Sequence, residues 1–298
     1  MTTDAHPRNK ILYILNPNAG PGMPTDLEAR IKDHASKHHY QYRIYKLNDS
    51  KDEAYIRKML TDFKPDVAVA GGGDGTVNMV AGILLGKDVL LGILPLGSSN
   101  GLALQMDLSK DPNEAMDNLV SGACQEMDVL LVNERFFCLH MGDLGMNARV
   151  IKRYEKEGVR GFFGYARQYF KEIGRTRKFK TTIKTDREGV DGHAVMVIVA
   201  NGSYYGTGAN VNPDGALDDG QFEIILVQTY PFWFLVDMVF NMITGKLTKP
   251  LLTRVIKCRK ATISVFPMQD LQLDGEHAGR IQTVRIMVLD DRIKLIKG

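Results

Sequence analysis

In Asp66-Val67-Ala68-Val69-Ala70-Gly71-Gly72-Gly73-Asp74-Gly75-Thr76, a short β-type run empties into three consecutive glycines, an acid, a fourth glycine and a hydroxyl residue. The next stretch, Val77 to Leu85, is apolar enough to begin a helix. Glycines let backbone N–H groups approach a phosphate with no Cβ in the way, and a helix N-terminus adds a favourable partial positive charge. Bare phosphate would repel Asp74, so its presence points to a metal ion or a proton-bearing group nearby. The stretch reads as strand, phosphate loop and helix, holding a nucleotide with a divalent cation. The plainer reading is a glycine-rich turn that only joins strand to helix.

Two familiar phosphate motifs are excluded by spelling. A dinucleotide fingerprint starting at Gly71 needs glycine at its sixth position, which is Thr76. A Walker A loop needs four residues between its first glycine and Gly-Lys-Ser/Thr; Gly82-Ile83-Leu84-Leu85-Gly86-Lys87-Asp88 has three and ends in Asp.

Working outward, residues 10 to about 125 alternate β-like runs with helix-like ones. Lys10–Leu15, Gln41–Leu47, Asp66–Ala70 and Val89–Pro95 read as strands; Pro24–His39 and Lys51–Phe63 have helical spacing. Such alternation predicts a parallel sheet with helices on both faces, whose ligands sit at the carboxyl ends of the strands. The strands end in three small, polar loops: Asn16-Pro17-Asn18-Ala19-Gly20, Gly71–Thr76 and Pro95-Leu96-Gly97-Ser98-Ser99-Asn100. Their convergence on one edge is stronger evidence than any one of them.

Beyond residue 125 the pattern changes. Met127–Val132, Arg135–His140, Lys180–Thr185, His193–Ala200, Gln221–Gln228, Ala261–Phe266 and Thr283–Leu289 read as strands. Asn133-Glu134, Glu188-Gly189, Pro213-Asp214-Gly215, Asp218-Asp219-Gly220 and Asp274-Gly275 supply turns. A strand-rich second domain follows, sandwich-like or barrel-like, with helical insertions expected at Asn147–Arg175 and Phe232–Thr244. No repeat or low-complexity linker separates the two domains, so a cleft between them is expected.

With 298 residues, 44% hydrophobic and 24% charged, the chain has room for two ordinary cores. A formal charge of +3 does not by itself argue for nucleic acid. Lys152 to Lys184 interleaves basic and aromatic residues, which suits an anionic membrane surface, a phosphorylated ligand or RNA, or equally a solvated helix with a buried aromatic stripe. Cys124, Cys138 and Cys258 have no C-x-x-C spacing, which fits a reducing, cytoplasmic setting. No His cluster suggests transition-metal binding, and His140 reads as a structural histidine. The greasiest stretch, Pro231 to Ile243, is too short and too polar to cross a bilayer, which leaves peripheral contact open. Its apolar residues recur at helical spacing and would line a lipid pocket, lie on the bilayer or pack on the sandwich.

Five segments in order, Asn16–Gly20, Gly71–Thr76, Pro95–Asn100, Leu217-Asp218-Asp219-Gly220 and Leu273-Asp274-Gly275-Glu276, resemble the diacylglycerol kinase catalytic family, which includes soluble bacterial lipid kinases and sphingosine kinases. The resemblance covers nearly the whole chain. It implies an α/β Rossmann-like nucleotide domain (1–125, with a strand in 286–298 returning to it) and a C-terminal β-sandwich (126–285) for the lipid. It also implies an ATP- and Mg²⁺-dependent kinase acting on a lipid hydroxyl. Asn16, Gly72, Gly73, Asp74, Gly75, Thr76 and Ser98 match nucleotide-holding positions. Asp274 matches the general base, with Glu276 in the same acidic network; Asp74 and Asp128 match acids that organise the catalytic Mg²⁺. Asp219, with the carbonyls of Ala216 and Gln221, matches a second Mg²⁺ site. Read without the family, Asp274-Gly275 is a hairpin turn and Asp218-Asp219-Gly220 an ordinary one.

The sequence departs from bacterial diacylglycerol kinases at Gly101, where many carry an acid; sphingosine kinases have a small apolar residue there, so substrate identity is what the departure touches. A kinase for a soluble substrate such as NAD, and a silent lipid or nucleotide sensor, are the rival readings. The partners expected are a lipid, a peripheral membrane surface and no nucleic acid, and the sequence is compatible with a homodimer.

Overall fold

The computed structural model describes residues 8–48, 52–98, 100–145, 177–205, 209–210, 212, 215–228 and 253–298. The helical insertions expected at Asn147–Arg175 and Phe232–Thr244, and most of the basic-aromatic stretch, lie outside these residues. In chain order the elements are β1 (Lys10–Leu15), α1 (Leu27–His38), β2 (Gln41–Lys46), α2 (Asp52–Phe63), β3 (Val67–Gly72), α3 (Asp74–Leu84), β4 (Leu90–Pro95), α4 (Gly101–Gln105), α5 (Pro112–Ser121) and β5 (Cys124–Met127). There follow β6 (Leu130–Val132), β7 (Phe136–Cys138), β8 (Met141–Gly145), β9 (Phe179–Thr185), β10 (Gly189–Ala194), β11 (Met196–Ala200), β12 (Tyr204–Tyr205), β13 (Ala209–Asn210), β14 (Phe222–Val227), β15 (Thr253–Cys258), β16 (Lys260–Leu273), β17 (Glu276–Val288) and β18 (Ile293–Ile296). The chain divides into two units, 1–127 with 291–298, and 128–290.

The first unit is built on a sheet of order β2-β1-β3-β4-β18-β5, in which only the β18–β5 pairing is antiparallel. Every residue of β3 is buried, as expected of a strand covered on both faces. Alternation sorts the side chains: Ile11, Tyr13, Leu15, Val67 and Val69 pack with Leu27, Ile31 and Ala35 of α1 and Ala115, Met116 and Leu119 of α5. Leu27, Ile31 and Ala35 recur at helical spacing, and Leu27 and Ile31, both fully buried, each contribute about 1.5–3 kcal/mol. At the far end, α1 terminates at His39, whose left-handed backbone (φ 55°, ψ 41°) turns the chain into β2. Helix α5 starts where Asp111 Oδ1 accepts from the Asn113 and Glu114 N–H groups, with Pro112 at its first position.

The second unit is an antiparallel sheet on the path β15-β14-β11-β8-β16-β17-β6-β7, with β9 paired to β16 and β10 to β9. Strand β16 serves two neighbours: Ala261–Phe266 pair with β9, and Leu271–Leu273 pair with β8. Between these stretches its register with β17 shifts from Ser264 to Gln269, a bulge that bends a strand at a sandwich corner. Phe179, Phe222, Ile224, Ile263, Leu271 and Val284 belong to one buried core.

Two expectations shift at the borders. The run Met127–Val132 is not one strand, because it breaks at Asp128 and Val129 between β5 and β6. Residues 286–288, expected in the returning strand, extend β17 instead, pairing with β6 and burying Ile286 and Val288 in the second core. The strand that rejoins the first sheet is β18.

Candidate functional site

In the first sheet, β1 leads through α1 to β2 on one side, and β3 lies on the other side of β1. The order therefore reverses between β1 and β3, and ligands of such sheets bind at that switch, at the carboxyl ends of the strands. Asn16–Gly20 and Gly71–Thr76 stand there, and Pro95–Asn100 follows the neighbouring β4.

The loops are joined backbone to backbone. Asn16 N–H donates to Gly71 O at 2.8 Å, and Leu96 and Gly97 N–H both donate to Gly72 O at 3.0 and 3.1 Å. The Asn16 side chain donates to Thr76 Oγ1 at 3.2 Å and accepts from Asn18 N–H at 3.0 Å. Gly73 and Gly97 run in contact: a Cβ on Gly73 would meet Gly97 Cα at 3.4 Å, and one on Gly20 would meet Leu96 O at 2.5 Å. The three loops thus form a single cradle of closely approaching backbone. Asn100 closes it in a left-handed conformation (φ 54°, ψ 51°), its side chain accepting from Gly97 N–H at 2.9 Å and donating to Gly97 O at 2.7 Å.

Helix α3 begins inside this cradle, with Gly73 as an extended N-cap that offers no side-chain bond. The Gly75 and Thr76 N–H groups have no partner within the helix, so its N-terminus can meet an anion. Asp74 occupies the first helical position, and Leu102 N–H approaches its Oδ1 at 3.4 Å. Gly101, the departure noted above, is the preceding residue and is buried. Ser98 is exposed in the third loop. Asn16, Gly72, Gly73, Asp74, Gly75, Thr76 and Ser98 are accordingly brought to one edge of one sheet.

The second unit carries Asp274. A two-residue turn, Asp274-Gly275, joins β16 to β17 with positive φ at both residues (47° and 89°), as a type I′ hairpin requires. The turn reading and the special role are therefore compatible. Asp274 is 7% exposed, whereas Glu276, two residues on, is exposed. The Asp274 carboxylate lies against the backbone that links β7 to β8: Oδ2 accepts from Leu139 N–H at 2.8 Å, and Oδ1 from His140 and Met141 N–H at 3.1 and 3.0 Å. His140 Nδ1 stands 3.7 Å from the same Oδ1. Burial opposes the charge, but the His140 ring and the Leu139 and Met141 N–H groups outweigh it and hold the carboxyl below its ordinary range. Beside it, burial and the Asp274 charge push the Cys138 thiol up.

The supporting residues were not legible as such. Gln272 Oε1 accepts from Gly275 N–H at 2.8 Å, and Gln272 Nε2 donates to Asp143 Oδ2 at 2.5 Å, so a buried polar pair holds the hairpin turn. Asn201 Nδ2 donates to both Asp128 O and Leu139 O. His140 reads as structural in sequence; here its ring stands against the acid of greatest interest.

The acids assigned to metals belong to both units. Asp128 is 1% exposed; its carboxylate accepts from Gly220 N–H and its own N–H donates to Leu217 O, so it anchors the 217–220 turn in the second unit, while Asp74 belongs to the first. Within that turn Asp219 Oδ1 accepts from Gln221 N–H at 2.9 Å, and Asp219 Oδ2 holds Lys257 Nζ at 2.6 Å. Lys257 also reaches Glu223 at 3.2 Å. The Asp219 bond, against a lesser burial cost, raises the Lys257 pKa and keeps the ammonium charged. The carboxylate expected to meet a second divalent cation is paired with an internal cation.

With this geometry in place, likeness to other proteins can be read on it. Residues 10–132 match the diacylglycerol kinase catalytic domain, and residues 143–297 match the YegS C-terminal NAD kinase beta sandwich-like domain. A diacylglycerol kinase of Staphylococcus saprophyticus is 26% identical over 283 residues, covering 92% of this chain and 91% of that protein. A diacylglycerol kinase structure from Bacillus anthracis has a TM-score of 0.74 at 20% identity, over 97% of both chains. An NAD kinase from Archaeoglobus fulgidus, solved in complex with ATP, has a TM-score of 0.54 at 12% identity, over 96% of this chain and 93% of that one. These last two are likenesses of fold.

Proposed function

Because this chain belongs to the diacylglycerol kinase family, we propose that it transfers the γ-phosphate of ATP to the hydroxyl of a lipid. The observation that carries the reading is the joined backbone cradle of Asn16–Gly20, Gly71–Thr76 and Pro95–Asn100 at the switch point of the first sheet. Phosphoryl transfer asks little covalent chemistry of the protein: it needs phosphates positioned, their charge neutralised and the acceptor proton received. The Gly73–Thr76 backbone at the α3 N-terminus would hold phosphate oxygens, with Asn16 fixing Thr76 and Ser98 contacting the nucleotide.

Asp74 fits one Mg²⁺, since a carboxylate at a phosphate-binding helix start is the donor such an ion takes together with phosphate oxygens and water. When bound, the ion would neutralise charge on the phosphates. A second ion would be held by Asp219 with the Ala216 and Gln221 carbonyls, and would displace Lys257 from the Asp219 carboxylate. No step is assigned to them.

Asp274 is the acceptor-side base. As the lipid oxygen forms its bond to phosphorus and the bond to ADP breaks, the hydroxyl proton passes to the Asp274 carboxylate. A carboxylate held ionised by N–H donors is a weak base, and this reaction tolerates one, since the proton leaves late in a loose transition state. Glu276, exposed beyond the turn, supports the acidic surroundings rather than receiving that proton.

A lipid acceptor calls for contact with a bilayer. Among the described residues no helix is long and apolar enough to cross a membrane. The β16 bulge exposes Phe266 and Met268, with Arg280 donating to Met268 O, and such an apolar tip beside a cation suits the interface of an anionic membrane. Mg²⁺-dependent transfer of labelled γ-phosphate from ATP to a lipid panel in mixed micelles tests the function. Label in a lipid is expected; label in NAD without micelles, with every lipid blank, would replace the lipid reading with the soluble-substrate one.

A further inference from the structure

Helix α1 places His34 and His38 four residues apart, on one face of its last two turns. That end lies just before β2 begins, at the opposite edge of the parallel sheet from the glycine loops. Helix α5, packed on the same sheet face, brings the Asp117 carboxylate to the Nε2 edges of the two rings, which stack with centroids 4.3 Å apart. His34 Nε2 stands 3.1 Å from Asp117 Oδ1, and His38 Nε2 stands 3.4 Å from the same oxygen. The three ligand atoms all lie within 4.8 Å of one another.

We propose that His34, His38 and Asp117 form a binding site for a first-row transition-metal ion of the Zn²⁺ class, clamping α1 to α5. Geometry supports this. With metal–ligand bonds of about 2.0–2.2 Å, neighbouring donors in a tetrahedral site lie roughly 3.3–3.5 Å apart. The 3.4 Å from His38 Nε2 to Asp117 Oδ1 already matches that edge, and the 3.1 Å from His34 Nε2 to the same oxygen, a hydrogen-bond length, is slightly short of it. His38 Nε2 is buried and has no hydrogen-bond partner despite its nearness to the carboxylate, so the pair is misaligned for a hydrogen bond but suited to a shared cation.

Outside the ligand triangle, His34 Nδ1 is 3.0 Å from the Tyr40 hydroxyl, itself 2.8 Å from the Tyr13 hydroxyl. Tyr13 is fully buried, so this chain of bonds is anchored in the core and fixes the ring plane of His34. A partner on the far nitrogen is what metal-binding imidazoles characteristically have. Two imidazoles and one carboxylate favour Zn²⁺, Co²⁺ or Ni²⁺ over Mg²⁺. The side chains grade outward from His34 (7% exposed) through His38 (27%) to Asp117 (53%), so an ion can enter from solvent and keep water in a fourth position. The site is remote from the phosphate cradle, and its role is to bind α1 and α5 together rather than to react.

The test uses the full chain, stripped of metal and dialysed against buffered free Zn²⁺, with His38→Ala and Asp117→Ala beside it. Both variants change partly exposed side chains, and a cooperative melt without metal checks that each is folded. One Zn²⁺ per chain is expected in the micromolar range or tighter, weakened by about 100-fold in each variant, with Zn²⁺ raising the Tm of the parent alone. Turnover with ATP and Mg²⁺ should be the same in all three. Failure of the parent to bind Zn²⁺ at micromolar free concentration, or equal binding by parent and variants, overturns the proposal.

Discussion

Gly97→Ala tests the nucleotide cradle most sharply. A Cβ at this position would lie 2.6 Å from Asn100 Oδ1 and 3.1 Å from Gly73 N, and nearer still to Gly73 Cα. Ordinary contacts are about 3.5–4.0 Å, so the Pro95–Asn100 and Gly71–Thr76 loops must part by roughly 1 Å. The obstacle is backbone on one side and a side chain tied by two hydrogen bonds on the other, so neither yields cheaply. Overpacking of this kind costs about 1–3 kcal/mol, and a displacement of about 1 Å in groups that position a substrate costs on the order of 100-fold in rate. The expected result is a fall of about 100-fold in kcat/KM for ATP with a modest loss of Tm. Gly86→Ala is the control. Its φ of 72° brings about 1–2 kcal/mol of strain, but its nearest neighbour, Asp291 Oδ2, is at an ordinary 3.6 Å and no phosphate loop moves. Similar Tm losses with an ATP defect only in Gly97→Ala are expected. A Gly97→Ala enzyme that keeps its kcat/KM for ATP would refute the idea that these two loops must touch.

Asp274→Asn should lower turnover by about 10²–10⁴-fold. It should also lower Tm, because the new amide nitrogen would face N–H donors, at a cost of about 1.5–3 kcal/mol; turnover equal to the parent's removes Asp274 from the chemistry. Since the folded-state carboxyl of Asp274 titrates below its ordinary value, its stabilisation is full above about pH 4 and drains as pH falls through the depressed value. The Tm advantage of the parent over Asp274→Asn should therefore shrink as melts are taken to lower pH, and a constant difference would contradict the charge assignment. Lys257→Met leaves Asp219 and the buried Glu223 without their cation, so the variant should melt lower and recover part of its Tm in millimolar Ca²⁺, while the parent responds less; equal responses would mean that Lys257 does not take the cation's place.

Strand–helix alternation was readable before Pro95 because each element there obeys its own period. Lys10–Leu15 has the same limits in sequence and structure, and the glycine loops announce themselves by composition. Strand β8 did not, since Met141-Gly142-Asp143-Leu144-Gly145 has neither alternation nor β-branched residues; it is a strand because Gly142 and Gly145 admit neighbouring atoms closely and Gln272 satisfies Asp143. The start of α5 is written in Asp111-Pro112, an N-cap acid followed by a proline that suits the first helical position. What the sequence hides is partnership at long range. Nothing near Asp219 reveals Lys257, and nothing near His34 reveals Asp117, 83 residues on, so an expectation of no histidine cluster was natural and the assembled triad corrects it.

The return of β18 has a consequence for biosynthesis. The ribosome emits β1 to β5 first, then the whole of residues 128–290, and only afterwards the strand that fills the gap between β4 and β5. Until Ile293–Ile296 emerge, the nascent first unit carries an open slot in its sheet, with unmet N–H and C=O groups along β4. The inserted half, complete within its own stretch of chain, can mature while the older half waits. Order of translation and order of completion are thus reversed, and the exposed β4 margin is where a holdase chaperone would be most useful during synthesis.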